Sequence, residues 1–600
     1  MEFPYKSKGM TGGNRCLFSS NSPQSGQEPP AEILTWCDLF LTLVACVPFF
    51  LNLGYLQITG SEGRWLSISQ GMLETGKWLE PKLGDAFYGD KPLLSYWTIV
   101  LTALPCGRVT EGIARLPSAL SGTITIFLTA WLGARFFGRR TAVLAAFVLA
   151  TTGSFLLWSR TASADAMNVA FITASICTYV SWRNRYHPWK PSVFFLLLFV
   201  GGHAKGMPAV IVPLGVVIAH TLLPLIESLF CLRNGSSLRN ELGGILRTVR
   251  AVIRRQFGWI LVGLALGLAV YLLPFYLSYL QRGDWELLRL MYRENFVRVF
   301  QAFDHREPIY DYFKVLPAML LPWSLWIPGA FGWAVKRFPK HEGFRFSLLC
   351  FGVIFLLFTA SSSRRSYYIL PIFPFAAILV AGFMEEMFSF SRGLDLRASL
   401  WRLFFIFPVR LMGFLLVTGA VVLLGGPFLP GWPGKLLGSL PYVTALGIAL
   451  GAAAIFFWTS WKQRSERTQV GAVVIAAFLM ALYMSTGGEI LKQQRLTERS
   501  FAVEVREKFP TLGTPVYFGE VNGRLKYYLG RGKEVGNLRE LRQIIKVEQE
   551  IFVITEWEYI QKLEAANWLS FSEVLRAEKP VSPPFAKSKP TYLLISCKRK

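Results

Sequence analysis

Apolar stretches long enough to cross a bilayer alternate along this chain with short polar connections. They begin near Leu34, Pro117, Thr141, Ser163, Pro191, Pro208, Phe257, Phe313, Phe346, Ile369, Leu403, Leu437 and Val470. About twenty apolar residues span the hydrocarbon core as a helix, so the pattern predicts a mainly α-helical polytopic membrane protein with about thirteen transmembrane helices. One further run, Pro92–Cys106, has the shorter length of an interfacial or re-entrant segment. In the same connection, Trp65–Leu73 followed by Gly76-Lys77-Trp78 reads as an amphipathic helix lying in the interface. Asp90-Lys91-Pro92 reads as the start of a second such helix, with Pro92 in its first turn.

After Gly488 the apolar runs give way to shorter alternating patterns. Thr497–Phe509 and Leu538–Lys546 have helical spacing, while Pro515–Phe518, Glu550–Thr555 and Tyr592–Cys597 read as strands. The expected division is therefore a disordered cytoplasmic tail over 1–33, a transmembrane domain over 34–487 and a small periplasmic α/β domain over 488–600.

Composition agrees with the pattern: 52% of the 600 residues are hydrophobic and only 17% charged, well below a soluble protein's share. The formal charge of +25 sits largely in short connections, as the positive-inside rule requires, and no nucleic-acid motif accompanies it. If Pro92–Cys106 lies on the external surface, the basic connections Arg135–Arg140, Arg183–Lys190, Arg233–Arg255, Lys336–Arg345, Arg392–Arg402 and Lys462–Arg467 all fall inside. Glu62, Asp90 and Asp165 then all fall outside, with the N-terminus cytoplasmic and the C-terminal domain external. Arg233–Arg255 reads as a basic amphipathic helix on the inner leaflet or a plain topology determinant. The eight cysteines are scattered without a Cys-x-x-Cys pair, giving neither a zinc site nor a disulfide framework.

Three external stretches pair an acid with a base at the mouth of an apolar segment: Ser61-Glu62-Gly63-Arg64, Tyr88-Gly89-Asp90-Lys91-Pro92 and Ser159–Asp165. Charge near the bilayer is expensive unless paired or used. Asp90 and Asp165 have a competing reading as carboxylates at helix N-termini; Glu62, just after the first span, has no such reading. Further external candidates are Glu294, Arg298, His305, Arg364 beside Arg365, Tyr367, and Lys205 between two spans. Carboxylates that deprotonate or orient a hydroxyl, beside cations that stabilise a departing phosphate, describe glycosyl transfer from a lipid-phosphate sugar at a membrane surface.

At these residues the chain resembles the GT-C class of large polytopic glycosyltransferases, in particular the bacterial aminoarabinose-lipid A transferases and, more distantly, the protein O-mannosyltransferases. The resemblance runs from about Trp36 to Phe388. It is carried by Ser61–Trp65, Gly76–Pro81, Tyr88–Pro92, Ala114–Ser118, Arg160–Asp165, Ala204-Lys205-Gly206, Glu294-Asn295, His305, Leu321-Pro322-Trp323 and Tyr367–Pro371. It implies an undecaprenyl-phosphate-linked donor, inversion at the anomeric carbon, a lipid A or other envelope glycoconjugate acceptor, and a site at the periplasmic face of the bacterial inner membrane. Glu62, Asp165 and Asp90 would be the catalytic carboxylates. Lys91, Lys205, Arg298 and either Arg364 or Arg365 would hold the lipid phosphate, Tyr88 would line its path, and Ser61, Arg64, Glu294, His305 and Tyr367 would complete the binding surface.

Relatives bind a divalent metal ion at the acidic residues in some cases; no ligand set is legible here, and none is expected to be essential. The resemblance also brings a departure. The family opens its first loop with Asp-Glu, and here Ser61 precedes Glu62. Either Glu62 or Asp165 takes the catalytic role, or transfer is impaired. Two rival readings remain beside transfer: a transporter or flippase, and a non-catalytic binding protein, for a lipid-linked sugar.

Overall fold

A computed structural model describes residues 33–84, 86–183, 187–231, 238–297, 307–389, 396–430, 440–493, 496–510, 514–519, 521, 523–530, 532–548, 550–577 and 592–599. Every one of the thirteen apolar runs is helical. Among the described residues, seven helices are long and apolar enough to cross a membrane: Glu111–Phe137, Arg254–Arg282, Glu342–Ala360, Ser366–Phe388, Leu400–Phe428, Val443–Lys462 and Glu466–Gln493. The number rises to nine if two bent pairs each count as one span: Arg139–Ala150 with Gly153–Ser159, at 71°, and Asp311–Met319 with Trp323–Arg337, at 115°. Trp36–Phe49, Leu93–Cys106 and Pro208–Pro224 are shorter apolar helices.

Two expected spans, Asp165–Trp182 and Lys190–Lys205, are helices outside that set. The first carries Asp165, Asn168 and several Ser and Thr residues, and it is buried in protein along nearly its whole length. Its hydroxyls return to the helix itself: Thr173, Ser175 and Thr178 each donate to a carbonyl four residues back at 2.8 Å. That satisfies polar side chains where no water reaches.

The central post is Ser366–Phe388, with 89% of its apolar window buried, whereas Arg254–Arg282 is only 22% buried and turns most of its surface outward. Arg254–Arg282 is the second half of a continuous 45-residue helix, Leu238–Arg282. Of the expected basic helix Arg233–Arg255, the part from Leu238 onward therefore runs straight into the following span, and residues 233–237 lie outside the described residues. The first connection folds as expected into two short helices, Glu62–Thr75 and Leu93–Ala103, joined through a two-stranded hairpin of β1 (Lys82–Leu83) and β2 (Ala86–Phe87).

Beyond the last long helix lies a five-stranded mixed sheet built from β3 (Val516–Phe518), β4 (Lys533–Val535), β5 (Glu550–Glu556), β6 (Leu569–Ala577) and β7 (Tyr592–Arg599). Its order is β4-β3-β5-β7-β6, parallel on the β4 side and antiparallel on the β6 side. Helices Glu498–Lys508 and Gly523–Leu529 pack on one face, and Leu538–Glu548 on the other. Strands β4 and β6 carry weak alternation and were not legible as strands in the sequence; their pairing with central strands fixes them.

Candidate functional site

Glu62 opens the helix Glu62–Thr75 and is 1% exposed. Its Oε1 accepts from Arg115 Nε at 2.8 Å and from the Ala162 amide at 2.9 Å. Its Oε2 accepts from Arg115 Nη2 at 2.9 Å, the Thr59 amide at 2.7 Å and the Thr59 hydroxyl at 3.2 Å. Arg115 is saturated as well. Beyond Glu62 it donates to the carbonyls of Leu53 at 2.9 Å, Leu56 at 2.7 Å and Gln57 at 3.1 Å. All five N–H groups of a guanidinium find partners in this way. The expectation that Glu62 lacks a structural reading is corrected: it begins a helix, accepts from Thr59 just ahead of it, and locks three chain segments together.

Arg160 does similar work one layer away. Its guanidinium donates to the Pro48 carbonyl, to the Leu51 carbonyl at 2.6 Å and to Glu489 Oε1 at 2.6 Å. The segment 48–57 forms only a short 3-10 turn at its start. Its carbonyls are satisfied largely by these two buried arginines, which meets the requirement that buried backbone groups be paired.

The other candidates gather around the turn at Gly206. Lys205 ends the helix Lys190–Lys205, pairs with Asp165, and places its ammonium 4.7 Å from the Tyr368 ring centroid and 5.4 Å from that of Tyr367. Asp165 is the first residue of its helix and is buried. Tyr367 stacks against Trp158 at 4.3 Å between centroids, and its hydroxyl accepts from Arg365 at 2.9 Å. The turn itself is rigid. Gly206 has φ +100°, and a Cβ there would lie 1.8 Å from Asn295 Oδ1, which accepts the Met207 amide at 3.0 Å. Only glycine fits.

Asn295 leads to the second cluster. Neighbouring Glu294 faces Lys91 at 3.5 Å, and Arg293 reaches Asp90 at 3.3 Å. Ser95, in the helix that follows Pro92, donates to the Ala204 carbonyl at 2.7 Å and so joins this cluster to Lys205. Asp90 does not cap its helix; Pro92 stands at the N-cap with no side-chain bond. Arg64 donates to the Tyr88 hydroxyl and lies 5.6 Å from its ring centroid. Burial raises the Tyr88 phenol above its usual range, and the nearby Asp90 and Glu294 charges push it the same way, against Arg64.

Ser61 is exposed beside Glu62 with no capping bond. Arg364 is turned to backbone work: it donates to the Thr359 carbonyl at 2.9 Å and also to that of Glu307. Arg298 and His305 lie outside the described residues. Among the described residues, no three His, Cys, Asp or Glu side chains gather as metal ligands. Glu62, Asp90 and Asp165 each face a cation already. This donor set does not fit a divalent ion, and no step is derived through one. Arg115, Arg160 and Asn295 were missed as individual structural residues. All three stand in the motifs that carry the resemblance, but an Arg among apolar residues reveals its partners only when folded.

The comparisons with known proteins agree with this architecture. Residues 50–281 match the family model described as dolichyl-phosphate-mannose-protein mannosyltransferase. An uncharacterized protein of Aquifex aeolicus is 28% identical over 356 residues, 58% of this chain and 64% of its own length. An undecaprenyl phosphate-alpha-4-amino-4-deoxy-L-arabinose arabinosyl transferase of Pectobacterium carotovorum is 27% identical over 350 residues, 57% of each chain. The chain thus spans about six tenths of the length of these curated relatives. The crystal structure of ArnT from Cupriavidus metallidurans bound to undecaprenyl phosphate superposes with a TM-score of 0.64 at 18% identity, covering 93% of this chain and 97% of that one. The fold is that of this ArnT crystal structure. In sequence the chain is similar to the undecaprenyl phosphate-alpha-4-amino-4-deoxy-L-arabinose arabinosyl transferases.

Proposed function

We propose that this chain is a membrane glycosyltransferase. It moves a sugar from a polyprenyl-phosphate donor to lipid A or another envelope glycoconjugate at the periplasmic face of the inner membrane. The observation that carries this reading is the gathering of Lys91, Lys205 and Arg64 with Asp90, Asp165, Glu294, Tyr88 and Tyr367 about the Gly206 turn. Fixed cations in a partly desolvated site stabilise charge that develops on a leaving phosphate.

In the proposed reaction an acceptor hydroxyl attacks the anomeric carbon from the face opposite the phosphate. The new C–O bond forms as the sugar–phosphate C–O bond breaks, the electron pair stays on the phosphate, and the configuration inverts. Lys91 and Lys205 hold that phosphate, with Arg64 and Tyr88 along the lipid's path. The proton passes to a carboxylate. Glu62 is saturated, so the roles fall to Asp90, the more open, as acceptor of the proton, and to Asp165 as the partner that holds Lys205. Ser61 contributes a hydroxyl to the binding surface. Arg298 and His305 keep the donor-binding roles that the resemblance implies.

The proposed topology has thirteen crossings: the seven long helices, the two bent pairs, Trp36–Phe49, Pro208–Pro224, Asp165–Trp182 and Lys190–Lys205, with Leu93–Cys106 at the outer surface. Positive-inside bias supports a cytoplasmic N-terminus and a periplasmic C-terminal domain, and the turn to polar, alternating sequence after Gly488 supports a domain boundary there. The test is transfer of radiolabelled sugar from native polyprenyl-phosphate donors to envelope lipid in membranes containing the protein. Transfer by wild type, lost in Asp90→Asn or Asp165→Asn at matched expression, is the expected result. Ser61 in the place of an expected acid, together with the saturation of Glu62, favours one second reading, a non-catalytic sugar-lipid binding protein. Donor binding without transfer would select it.

A further inference from the structure

The loop that carries Ser61 and leads into the helix Glu62–Thr75 takes its shape from residues more than four hundred positions away. Gln57 is fully buried, and each of its polar groups is used. Its amide donates to Gln493 Oε1 at 2.7 Å, and its carbonyl accepts from Arg115 at 3.1 Å. Its side-chain oxygen accepts the Arg499 amide at 3.0 Å, and its side-chain nitrogen donates to Glu498 Oε2 at 2.5 Å. The next amide, Ile58, donates to the Tyr528 hydroxyl at 2.9 Å, and that hydroxyl donates in turn to Glu111 at 2.8 Å. Tyr527 donates to the Val109 carbonyl at 2.7 Å, where the first connection ends. Arg115, Glu62 and Thr59 close the circuit from the membrane side.

From this geometry we propose that the C-terminal α/β unit is a positioning clamp for the loop that carries Ser61 and leads into the helix Glu62–Thr75, acting through Gln57 and Tyr528. The inference rests on the glycosyl-transfer reading for its consequence. An irregular loop gains order only from what it bonds to. Here the bonds above the loop come from Gln493, Glu498, Arg499 and Tyr528, and those below it from Arg115. Releasing the upper set leaves the helix Glu62–Thr75 in place but lets the approach to it move, and a displacement of about 1 Å at a positioning element can cost on the order of a hundred-fold in rate.

The test uses the full chain and two readouts, hydrogen exchange of amides 55–64 and sugar transfer. Tyr528→Phe removes one hydroxyl and nothing else. Gln57→Glu sets a second carboxylate against Glu498, and combining it with Glu498→Gln restores a donor opposite an acceptor. In both single variants the loop should exchange about ten-fold faster, the factor that one lost buried hydrogen bond supplies. The Gln57→Glu/Glu498→Gln pair should return toward wild type. Exchange in the central helix Phe373–Ser389 reports whether the fold is intact, and should not change. Transfer should fall about ten-fold in kcat with the donor KM held within about two-fold, since the donor cations are untouched. An unchanged loop, loss of protection shared with the central helix, or a loosened loop with full turnover would each overturn the clamp. Absence of transfer by wild type would overturn the glycosyl-transfer reading instead, and loop exchange would still decide whether the clamp exists.

Discussion

Two acid–base pairs that look alike in the sequence have opposite fates in the fold. Glu62 with Arg115 is sealed, with both side chains nearly inaccessible and every bonding position used. Lys91 with Glu294 is loose, at 3.5 Å, with about a third of the lysine side chain open. A charge that is fully bonded within the protein and sealed from solvent has nothing left for a ligand; one held at long range with part of its side chain open can exchange a contact for a phosphate. Saturation, not the presence of charge, separates framework from reaction surface.

The sharpest way to break this comparison is Arg115→Ala. It leaves the Glu62 carboxylate buried without its counter-ion, a change that typically costs about 3–5 kcal/mol. Little folded protein should survive extraction, and thermal unfolding in detergent measures it. A variant that folded and unfolded like wild type would show that the pair is not framework. Lys91→Met should do the reverse. Thermal stability should hold while sugar transfer falls by about a hundred-fold, the scale of losing one fixed charge at a developing anion.

These fates were only partly legible beforehand. The apolar runs were legible as helices, because period and length survive in any context. They could not show that Asp165–Trp182 lies inside the protein, since a hydroxyl-rich helix reads alike whether lipid or protein surrounds it. The three acid–base mouths were legible as well, and the fold brings all of them into one connected region. What sequence could not supply was pairing at a distance. Glu62 seemed to have no structural role because its partner is fifty-three positions on, and Gln57 drew no notice because its side-chain partners, Glu498 and Arg499, lie beyond the last span. A side chain's type is local information, but its saturation is a property of the packed whole.

Gly206→Ala probes the joint between the two lysines. The added methyl would overlap Asn295 Oδ1 in a backbone conformation of φ +100°, and such strain costs on the order of 1–3 kcal/mol. The expected result is a folded protein of lower melting temperature, with transfer reduced along with stability. Full activity at wild-type stability would mean that the turn does not hold Lys205 and Asn295 in register.

The smallest effect sharpens the comparison from the open side, through the proton on Tyr88. Burial holds this phenol above its usual value near 10. Between the ordinary and the raised value, the unfolded chain has released the proton and the folded chain has kept it. The folded state then binds more protons than the unfolded one, so stability falls as pH rises through that window, and nothing is lost below it. Melting temperature measured from pH 8 to pH 11 should therefore fall less steeply in Tyr88→Phe than in wild type, with the two curves parallel below about pH 9. Equal slopes throughout would place the Tyr88 hydroxyl in ordinary solvent, and the tyrosine would then belong to the outer surface rather than to the wall of the donor path.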